Sequence, residues 1–267
     1  MNEMKVQTAI EKFLSHMASL NRTEGTLESY RAVLTLLAKF LEQKYLVERV
    51  RDIRTGIIEG YMAHLHKSGV MASTRRTRLC AIKSFTKYLW FKKFAKEDLS
   101  AGIGLPKKEK RKPEWVKEEK IRDVLTYLLS DSHPNKDFWM NLRDHLIIRL
   151  LYATGVRASE LVNINPEKDI CWEDQRIEIF GKGRKQRTVY ADRRTLDVLK
   201  LFLQEQSKRF NDGSNLFYTK YGRPLGYEAM KLVVMKHLGV TPHVLRHSYA
   251  TNLRLKGMEI DVLAELM

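Results

Sequence analysis

Residues 176–190 have the sequence RIEIFGKGRKQRTVY, and this stretch decides the fold class of the chain. Two runs with the composition of β-strands, Arg176–Phe180 and Gln186–Tyr190, lie on either side of a tight turn at Gly181-Lys182-Gly183. A third such run, Asp169–Trp172, comes before them. Short strands that are joined by tight turns pair with their neighbours along the chain. We therefore predict a three-stranded antiparallel meander.

The chain on both sides of this meander has the apolar spacing of α-helices. Four amphipathic helices are expected in the first hundred residues, each with one apolar side, as a small helical bundle requires. Further helices are expected at about Val116–Leu129, Asn141–Ala153, Arg193–Phe210, Tyr227–Leu238 and His243–Lys256, with a last one that starts near Glu259. The predicted fold class is mainly α with a small antiparallel β-sheet.

The segment 102–113, GIGLPKKEKRKP, separates two helical regions. Its prolines disfavour helix at the residues that precede them, and its clustered basic residues repel one another and favour an extended chain. We therefore predict a four-helix domain at residues 1–101, a basic linker at residues 102–113 and an α+β domain at residues 114–267.

Positive charge is concentrated in the first half of the chain. The formal net charge is +16, and residues 1–112 hold 23 Lys and Arg against 11 Asp and Glu, whereas residues 113–267 hold 25 against 21. A basic domain attracts polyanions, because binding releases the counterions that surround them. The charge favours a nucleic-acid partner, and a highly charged solvated surface is the alternative that charge alone leaves open.

The fourth predicted helix, at about residues 73–93, separates an apolar face from a basic one. Leu79, Ile82 and Phe85 lie on one side, and the basic stripe lies about 140° away around the helix. Such a helix fits the major groove of duplex DNA, although an ordinary exposed lysine face is the alternative. The residues here and in the linker that we expect to contact DNA are Arg75, Arg76, Lys83, Lys87, Lys107 and Lys108.

Composition and cysteine content argue against several classes of protein. Hydrophobic residues make up 43% of the chain and charged residues 30%, and no run approaches the ~20 apolar residues of a membrane span. Cys80 and Cys171 are too few and too far apart for a disulfide framework or a zinc site, and His64 and His66 lack further ligands nearby. We expect a cytoplasmic protein without a membrane segment, metal ion or cofactor.

Four segments of the second half occur in an order and spacing that resemble those of one enzyme family. They are LYATGVRASEL at residues 151–161, GKGRKQR at 181–187, TPHVLRHSYAT at 241–251 and VLAELM at 262–267. Each motif by itself is weak evidence, because short motifs recur by chance. Together they resemble the catalytic domain of the tyrosine site-specific recombinases, the superfamily of phage integrases and Xer recombinases. The N-terminal helices resemble the SAM-like core-binding domain of the same family.

The resemblance implies cleavage and rejoining of duplex DNA at a core site through a 3′-phosphotyrosine intermediate, without a metal or cofactor. Arg157 and Arg246 would bind the scissile phosphate, since a guanidinium binds phosphate bidentately and stays protonated. His243, one helical turn before Arg246, would serve as acid or base or donate to the phosphate. Taken singly, Arg157 could equally form a helix-capping salt bridge, and His243 could be an ordinary first-turn residue.

The turn between the last two predicted strands would bring a lysine to the leaving group. By the resemblance, Lys182 protonates the leaving 5′-oxygen, and Arg184 and Lys185 in the same turn contact DNA. Glu160 would steady the basic cluster from behind. Taken alone, Lys182 has the features of an ordinary exposed lysine.

The family pattern continues beyond Met267, with a histidine or tryptophan and then the nucleophilic tyrosine. Tyr249, inside the H-x-x-R helix, has the position of a packing residue. We therefore expect this chain to bind DNA without cleaving it, and to form dimers and a tetrameric synapse on DNA once the C-terminal segment is complete. A non-catalytic regulator or competitor that uses the same DNA clamp is the alternative. Type IB topoisomerases share the catalytic set but not the compact helical N-terminal domain.

Overall fold

The computed structural model describes residues 3–107, 114–181, 186–210 and 213–267. The chain divides into two compact units, Met1–Arg111 and Lys112–Met267. Its described part is mainly α-helical with one small sheet, which confirms the predicted fold class. Four of the predicted site residues lie outside the described residues, namely Lys108, Lys182, Arg184 and Lys185.

Four α-helices build the N-terminal unit, as predicted. They are α1 (Val6–Ser19), α2 (Glu24–Tyr45), α3 (Thr55–Lys67) and α4 (Ala72–Phe91), with a 3₁₀ turn at Val50–Asp52 before α3. Phe13 of α1 lies at the centre of the core, with its ring centroid 5.4 Å from that of Tyr30 and 5.6 Å from that of Phe85. Leu79 and Ile82 of α4 are completely buried in the same core, so the predicted apolar face of this helix is confirmed.

The chain that follows α4 turns back and packs on the N-terminal unit. Leu99 and Ile103 are buried in the core of that unit. The carbonyl oxygen of Pro106 accepts a hydrogen bond of 3.1 Å from Nη1 of Arg76 on α4. Residues 102–106, where the sequence places the start of a linker, therefore belong to the folded N-terminal unit.

The C-terminal unit is built around one central helix. Its helices are α5 (Glu118–Leu128), α6 (Phe138–Thr154), α7 (Ala158–Leu161), α8 (Pro166–Asp169), α9 (Arg193–Ser207), α10 (Tyr227–Leu238), α11 (Pro242–Leu255) and α12 (Ile260–Leu266). Helix α6 is buried over most of its circumference, and its residues Leu142, Leu146 and Leu150 are completely buried. Because a helix of this kind must be covered on all sides, α5, α9, α10 and α11 all pack against it.

The sheet of the C-terminal unit is the predicted antiparallel meander. Strands β1 (Ile170–Cys171), β2 (Arg176–Phe180) and β3 (Gln186–Tyr190) lie side by side in chain order. Ile177 of β2 pairs with Val189 of β3, and both side chains are buried in the core. Strand β1 is shorter than the predicted Asp169–Trp172, because α8 extends to Asp169.

The end of α6 requires a glycine. Gly155 has φ of +60°, in the left-handed region that side chains with a Cβ rarely adopt. A Cβ at this position would also lie 2.5 Å from Cδ1 of Tyr249 on α11. The tyrosine ring therefore lies directly on the backbone at the end of α6, and this contact holds the turn that leads to Arg157.

A buried ionic group ties α10 to α6. Asp144 of α6 accepts a hydrogen bond of 2.7 Å from Nη2 of Arg143, and its other oxygen lies 3.1 Å from Nε2 of His237 on α10. Burial opposes ionisation of Asp144, but the hydrogen bonds from His237 and Arg143 outweigh burial and hold the pKa of the carboxyl below its ordinary value. The carboxylate therefore stays charged within the core, where it fixes the position of α10.

Stability should depend on pH through His145 of α6. Burial lowers the pKa of His145 from 6.5 to about 4, so the unfolded chain binds a proton that the folded chain excludes as the pH falls from 6.5 towards 4. The contribution of His145 is complete above pH 6.5, and the unfolding free energy should drop by about 2 kcal/mol on going from pH 7.5 to pH 5. Urea unfolding of His145→Gln should lack this part of the drop, whereas the exposed-site control His66→Gln should keep it. An identical drop in His145→Gln would contradict the assignment.

Candidate active site

A buried carboxylate, Glu160 of α7, lies at the centre of the site. Its side chain is only 5% exposed. Oε2 accepts hydrogen bonds from the backbone N–H of Arg157 (2.9 Å) and from Nη2 of Arg187 (2.7 Å), and Oε1 accepts one from Nη1 of Arg157 (2.9 Å). Burial alone would raise the pKa of Glu160, but these hydrogen bonds and the charge of Arg187 hold it below its ordinary value. The carboxylate is therefore ionised at neutral pH.

Local sequence explains how Glu160 meets Arg157. Arg157 is the N-cap residue of α7, and Glu160 is the third residue of that helix. At this spacing a glutamate reaches back to the backbone N–H of the N-cap residue. The same carboxylate then also holds the guanidinium of Arg157, whose side chain is 58% exposed. Arg157 is thus fixed on its inner side and accessible on its outer side.

A cleft of about 810 Å³ opens beside these residues. It is lined by Arg157, Ser159, Glu160, Asn163, Phe180, Gly181, Gln186, Arg187 and Met267. Gly181 and Gln186 are the described residues that flank segment 182–185, which contains Lys182. The ends of strands β2 and β3 therefore border the same cleft as the first predicted arginine.

The second predicted arginine, Arg246 of α11, is almost completely buried. Its guanidinium donates hydrogen bonds to the carbonyl oxygens of Gly155 and Met267. Burial, together with the positive charges of Arg157 and Arg187, lowers the pKa of Arg246 to about 10. Arg246 thus remains protonated at neutral pH, in an environment where other cations already crowd it.

His243 lies on the first turn of α11, on the same side as Arg246. Its ring centroid is 4.5 Å from that of His247 in an edge-on arrangement, and both side chains are exposed. Partial burial lowers the pKa of His243, and the charges of His247, Arg246 and Arg157 lower it further. The imidazole is therefore neutral at pH 7 and can either donate or accept a hydrogen bond.

These residues form a cluster of positive charge with one carboxylate in it. Arg157 and Arg187 act on both Glu160 and Arg246, and Glu160 is the acidic side chain that faces this cluster among the residues described. Like charges at close range cost free energy that a bound anion would recover. The arrangement is suited to binding a phosphate group. Within the described residues no group of three or more His, Cys, Asp or Glu side chains could hold a metal ion.

The residues expected to contact DNA from α4 differ in their surroundings. Lys83 donates from Nζ to the carbonyl oxygens of Ser100 (2.8 Å) and Ala101 (3.3 Å), and Arg76 donates to that of Pro106. These two side chains therefore hold the chain that follows α4 in place.

The other described residues that were expected to contact DNA differ in their exposure. Lys87 of α4 and Lys107 are exposed. Arg75 is partly buried, and its Nε atom has no hydrogen-bond partner among the residues that the structure describes. Of the described residues in this set, Lys87 and Lys107 are the most accessible to a polyanion.

Sequence reasoning did not select Arg187 as a site residue. It is the last residue of the GKGRKQR segment and lies opposite Ile179 in the sheet. Its position opposite a buried isoleucine follows from strand alternation, but only the tertiary fold reveals its ion pair with Glu160.

None of the described helices combines the length and the apolarity that crossing a membrane requires.

Known proteins resemble this chain in sequence over most of its length. Residues 115–267 match the profile of the phage integrase family, and residues 10–93 match the N-terminal SAM-like domain of phage integrases. The chain belongs to the phage integrase family. It is 30% identical to the tyrosine recombinase XerD of Chlorobaculum tepidum over 97% of this chain and 86% of the relative. It is 28% identical to XerD of Staphylococcus saprophyticus over 98% of this chain and 90% of the relative.

Solved structures share the fold at low sequence identity. A lambda integrase dimer bound to a COC′ core site superimposes with a TM-score of 0.75 at 16% identity, covering 99% of this chain and 94% of that one. The Tn1549 transposon integrase in complex with circular intermediate DNA gives a TM-score of 0.71 at 16% identity, covering 99% and 91% of the two chains. The family is one of DNA recombinases, and this chain has its two-part fold.

Proposed function

We propose that the protein carries out site-specific DNA recombination, in which strands are cleaved and rejoined through a 3′-phosphotyrosine intermediate. The observation that carries the proposal is the crowding of Arg157, Arg187 and Arg246 around the carboxylate of Glu160. The charges of Arg157 and Arg246 also act on His243. A cluster of this kind stabilises the negative charge that develops on the non-bridging oxygens of a phosphate during phosphoryl transfer. The named relatives, which are tyrosine recombinases, support the same reaction.

Arg157 and Arg246 would bind the scissile phosphate in different ways. Arg157 is pinned by Glu160 and has an accessible outer edge, so it can meet an incoming phosphate without reorganising. Arg246 is buried and close to other cations, so a bound anion would relieve the unfavourable electrostatic energy of its charge. Arg246 stays protonated at neutral pH, and a guanidinium group can make two parallel hydrogen bonds to a phosphate.

Two further residues, His243 and Lys182, would transfer protons during the reaction. His243 is neutral at pH 7 because its pKa is lowered, and it lies one turn from Arg246, so it can donate to a phosphate oxygen or accept a proton from the nucleophile. Lys182 is proposed as the acid that protonates the leaving 5′-oxygen. Its segment lies outside the described residues, and the flanking Gly181 and Gln186 border the cleft, which supports the proposal.

We also propose that the nucleophile is not among residues 1–267. Tyr249 is the tyrosine next to the arginine cluster, yet its ring lies on Gly155 and meets the ring of Tyr152 edge-on with centroids 6.5 Å apart. Burial raises the pKa of Tyr249 despite the opposing charges of Arg246 and Arg187. A protonated phenol that packs the junction of α6 and α11 is a structural residue rather than an attacking group.

Duplex DNA and further copies of the chain are the proposed partners. The lambda integrase relatives are a dimer on a core site and a tetramer on a Holliday junction. The excess of positive charge in residues 1–112 supports binding of a polyanion by the N-terminal unit. Within that unit, Lys87 and Lys107 are exposed and are proposed to contact phosphates.

Salt dependence should separate the DNA-contacting lysines from the structural ones. The double variant Lys87→Ala/Lys107→Ala should reduce the slope of log K against log salt by about 2, near 0.9 for each lost phosphate contact, and leave thermal stability unchanged. Lys83→Ala should instead lower the melting temperature, because the carbonyl oxygens of Ser100 and Ala101 lose their donor. Lys12→Ala removes an exposed lysine of α1 and serves as the control for both the salt slope and the melting temperature. An unchanged slope in the double variant would remove these two lysines from the interface.

A covalent-trapping assay tests the proposed chemistry. The polypeptide of residues 1–267, incubated with a suicide duplex that carries the recombination site, should give no protein–DNA adduct on a denaturing gel. The phosphate-binding and proton-transfer groups stabilise a reaction that a positioned nucleophile must start. With a segment that carries the family tyrosine joined after Met267, the adduct should form, and Arg246→Ala should abolish it.

The remaining outcomes of this assay are equally informative. An adduct from residues 1–267 alone would place the nucleophile within this chain and refute the assignment of Tyr249 as structural. Tight DNA binding with no adduct from either polypeptide would favour the non-catalytic DNA-binding regulator over the recombinase.

A further inference from the structure

Two arginines share the carboxylate of Glu160, and their surroundings differ. Arg157 and Arg187 both donate to Glu160, at 2.9 Å and 2.7 Å. The side chain of Arg157 is 58% exposed, whereas that of Arg187 is 24% exposed. Glu160 itself is 5% exposed and accepts from the two guanidinium groups through different carboxylate oxygens. The pair therefore consists of one accessible cation and one that faces inward.

Arg187 is held inward at more than one point. Its Nη1 donates to the carbonyl oxygen of Leu266 on α12 at 3.4 Å, and its Nη2 donates to Glu160. Its Nε atom is buried and has no hydrogen-bond partner within the described ranges. Both terminal nitrogens of Arg187 donate to protein acceptors, and its charge is paired directly with the carboxylate of Glu160. Arg246, in contrast, donates to backbone oxygens, so its charge has no such partner among the described residues.

We propose that Arg187 is a positioning residue: by sharing Glu160 with Arg157, it holds the Arg157 guanidinium where it meets a phosphate oxygen. The inference rests on the proposed role of Arg157 as a phosphate ligand. Arg187 belongs to β3 and Arg157 to the N-terminus of α7, so the shared carboxylate ties the sheet to the turn that carries the phosphate ligand. Charged groups in the cluster face Glu160 from α11 as well, through Arg246.

The physical reason is the cost of an isolated buried carboxylate. A buried anion that loses one of its charged partners is poorly compensated, and it responds by taking up a proton or by moving towards solvent. Either response loosens the two hydrogen bonds with which Glu160 holds Arg157. Removing Arg187 should therefore weaken anion binding only through Arg157, and this dependence distinguishes positioning from direct contact.

A double-mutant cycle with inorganic tungstate, a tetrahedral dianion similar in shape to phosphate, tests the proposal. Tungstate is titrated into the 267-residue chain, and the shifts of backbone amide NMR signals from residues 155–161 give the dissociation constant. Arg157→Gln should weaken binding by about tenfold, as expected for a lost charge-assisted hydrogen bond. Arg187→Gln should weaken it by about fivefold in the wild-type background and by less than about 1.5-fold in Arg157→Gln, because neighbours that act through one another are not additive.

Two further variants complete the test. Arg187→Lys keeps a cation beside Glu160 and should restore the affinity to within about twofold of wild type. Arg176→Gln removes an arginine of the same sheet that pairs with Asp174 and Glu178, away from Glu160, and should leave the affinity unchanged. Melting temperatures identify any variant that fails to fold. If Arg187→Gln does, Arg187→Met, which also removes the charge but keeps a long unbranched side chain, takes its place in the cycle with the same expected losses.

Several results would overturn the proposal. Equal losses from Arg187→Gln in both backgrounds would make Arg187 a direct anion ligand. No loss in the wild-type background, an Arg187→Lys variant much weaker than wild type, or no tungstate binding by the wild-type chain would each refute positioning through Glu160. None of these measurements needs DNA cleavage or a known recombination site, so failure of the proposed recombinase activity would be seen separately in the covalent-trapping assay.

Discussion

The ion pairing of Glu160 is the constraint on which the rest of the site depends. A carboxylate that is 5% exposed stays charged only because hydrogen bonds and positive charge surround it. In return it holds Arg157 at the start of α7 and Arg187 on β3. Without it, three arginines would repel one another in a partly buried cluster. With Glu160 present, the cluster keeps a net positive charge that favours an anion. The carboxylate also fixes the guanidinium groups of Arg157 and Arg187 by accepting their hydrogen bonds.

The fold around this carboxylate follows from a few local features that the sequence displays. β-strand composition and a glycine-containing turn predicted the bounds of β2 and β3, and helical periodicity predicted α10 and the apolar face of α4. The four-residue helices α7 and α8 were not predicted, because one turn is too short to show a period. A glycine at position 155 is typical of the end of a helix, but its contact with Tyr249 depends on the tertiary packing of α11.

Sequence motifs predicted only part of the site, because some of its contacts depend on the tertiary fold. Arg157, His243 and Arg246 stand in motifs whose order is informative. The structure brings them close enough that the charge of Arg157 lowers the pKa values of His243 and Arg246. Arg187 is the last residue of the GKGRKQR segment, but the segment assigns it no role, and its ion pair with Glu160 spans 27 residues of sequence. Likewise, helical periodicity marked Lys83 as a basic surface residue, but it could not reveal that backbone carbonyl oxygens downstream of α4 accept its hydrogen bonds.

Arg157 and Arg246 are proposed to form one phosphate site. The most direct measurement is anomalous X-ray scattering from crystals of the 267-residue chain soaked with tungstate. We expect one dominant anomalous peak about 4 Å from the guanidinium nitrogens of both Arg157 and Arg246, because the tungstate oxygens, and not the tungsten atom, lie at hydrogen-bond distance from these donors. A dominant peak elsewhere, with none between these two arginines, would contradict it.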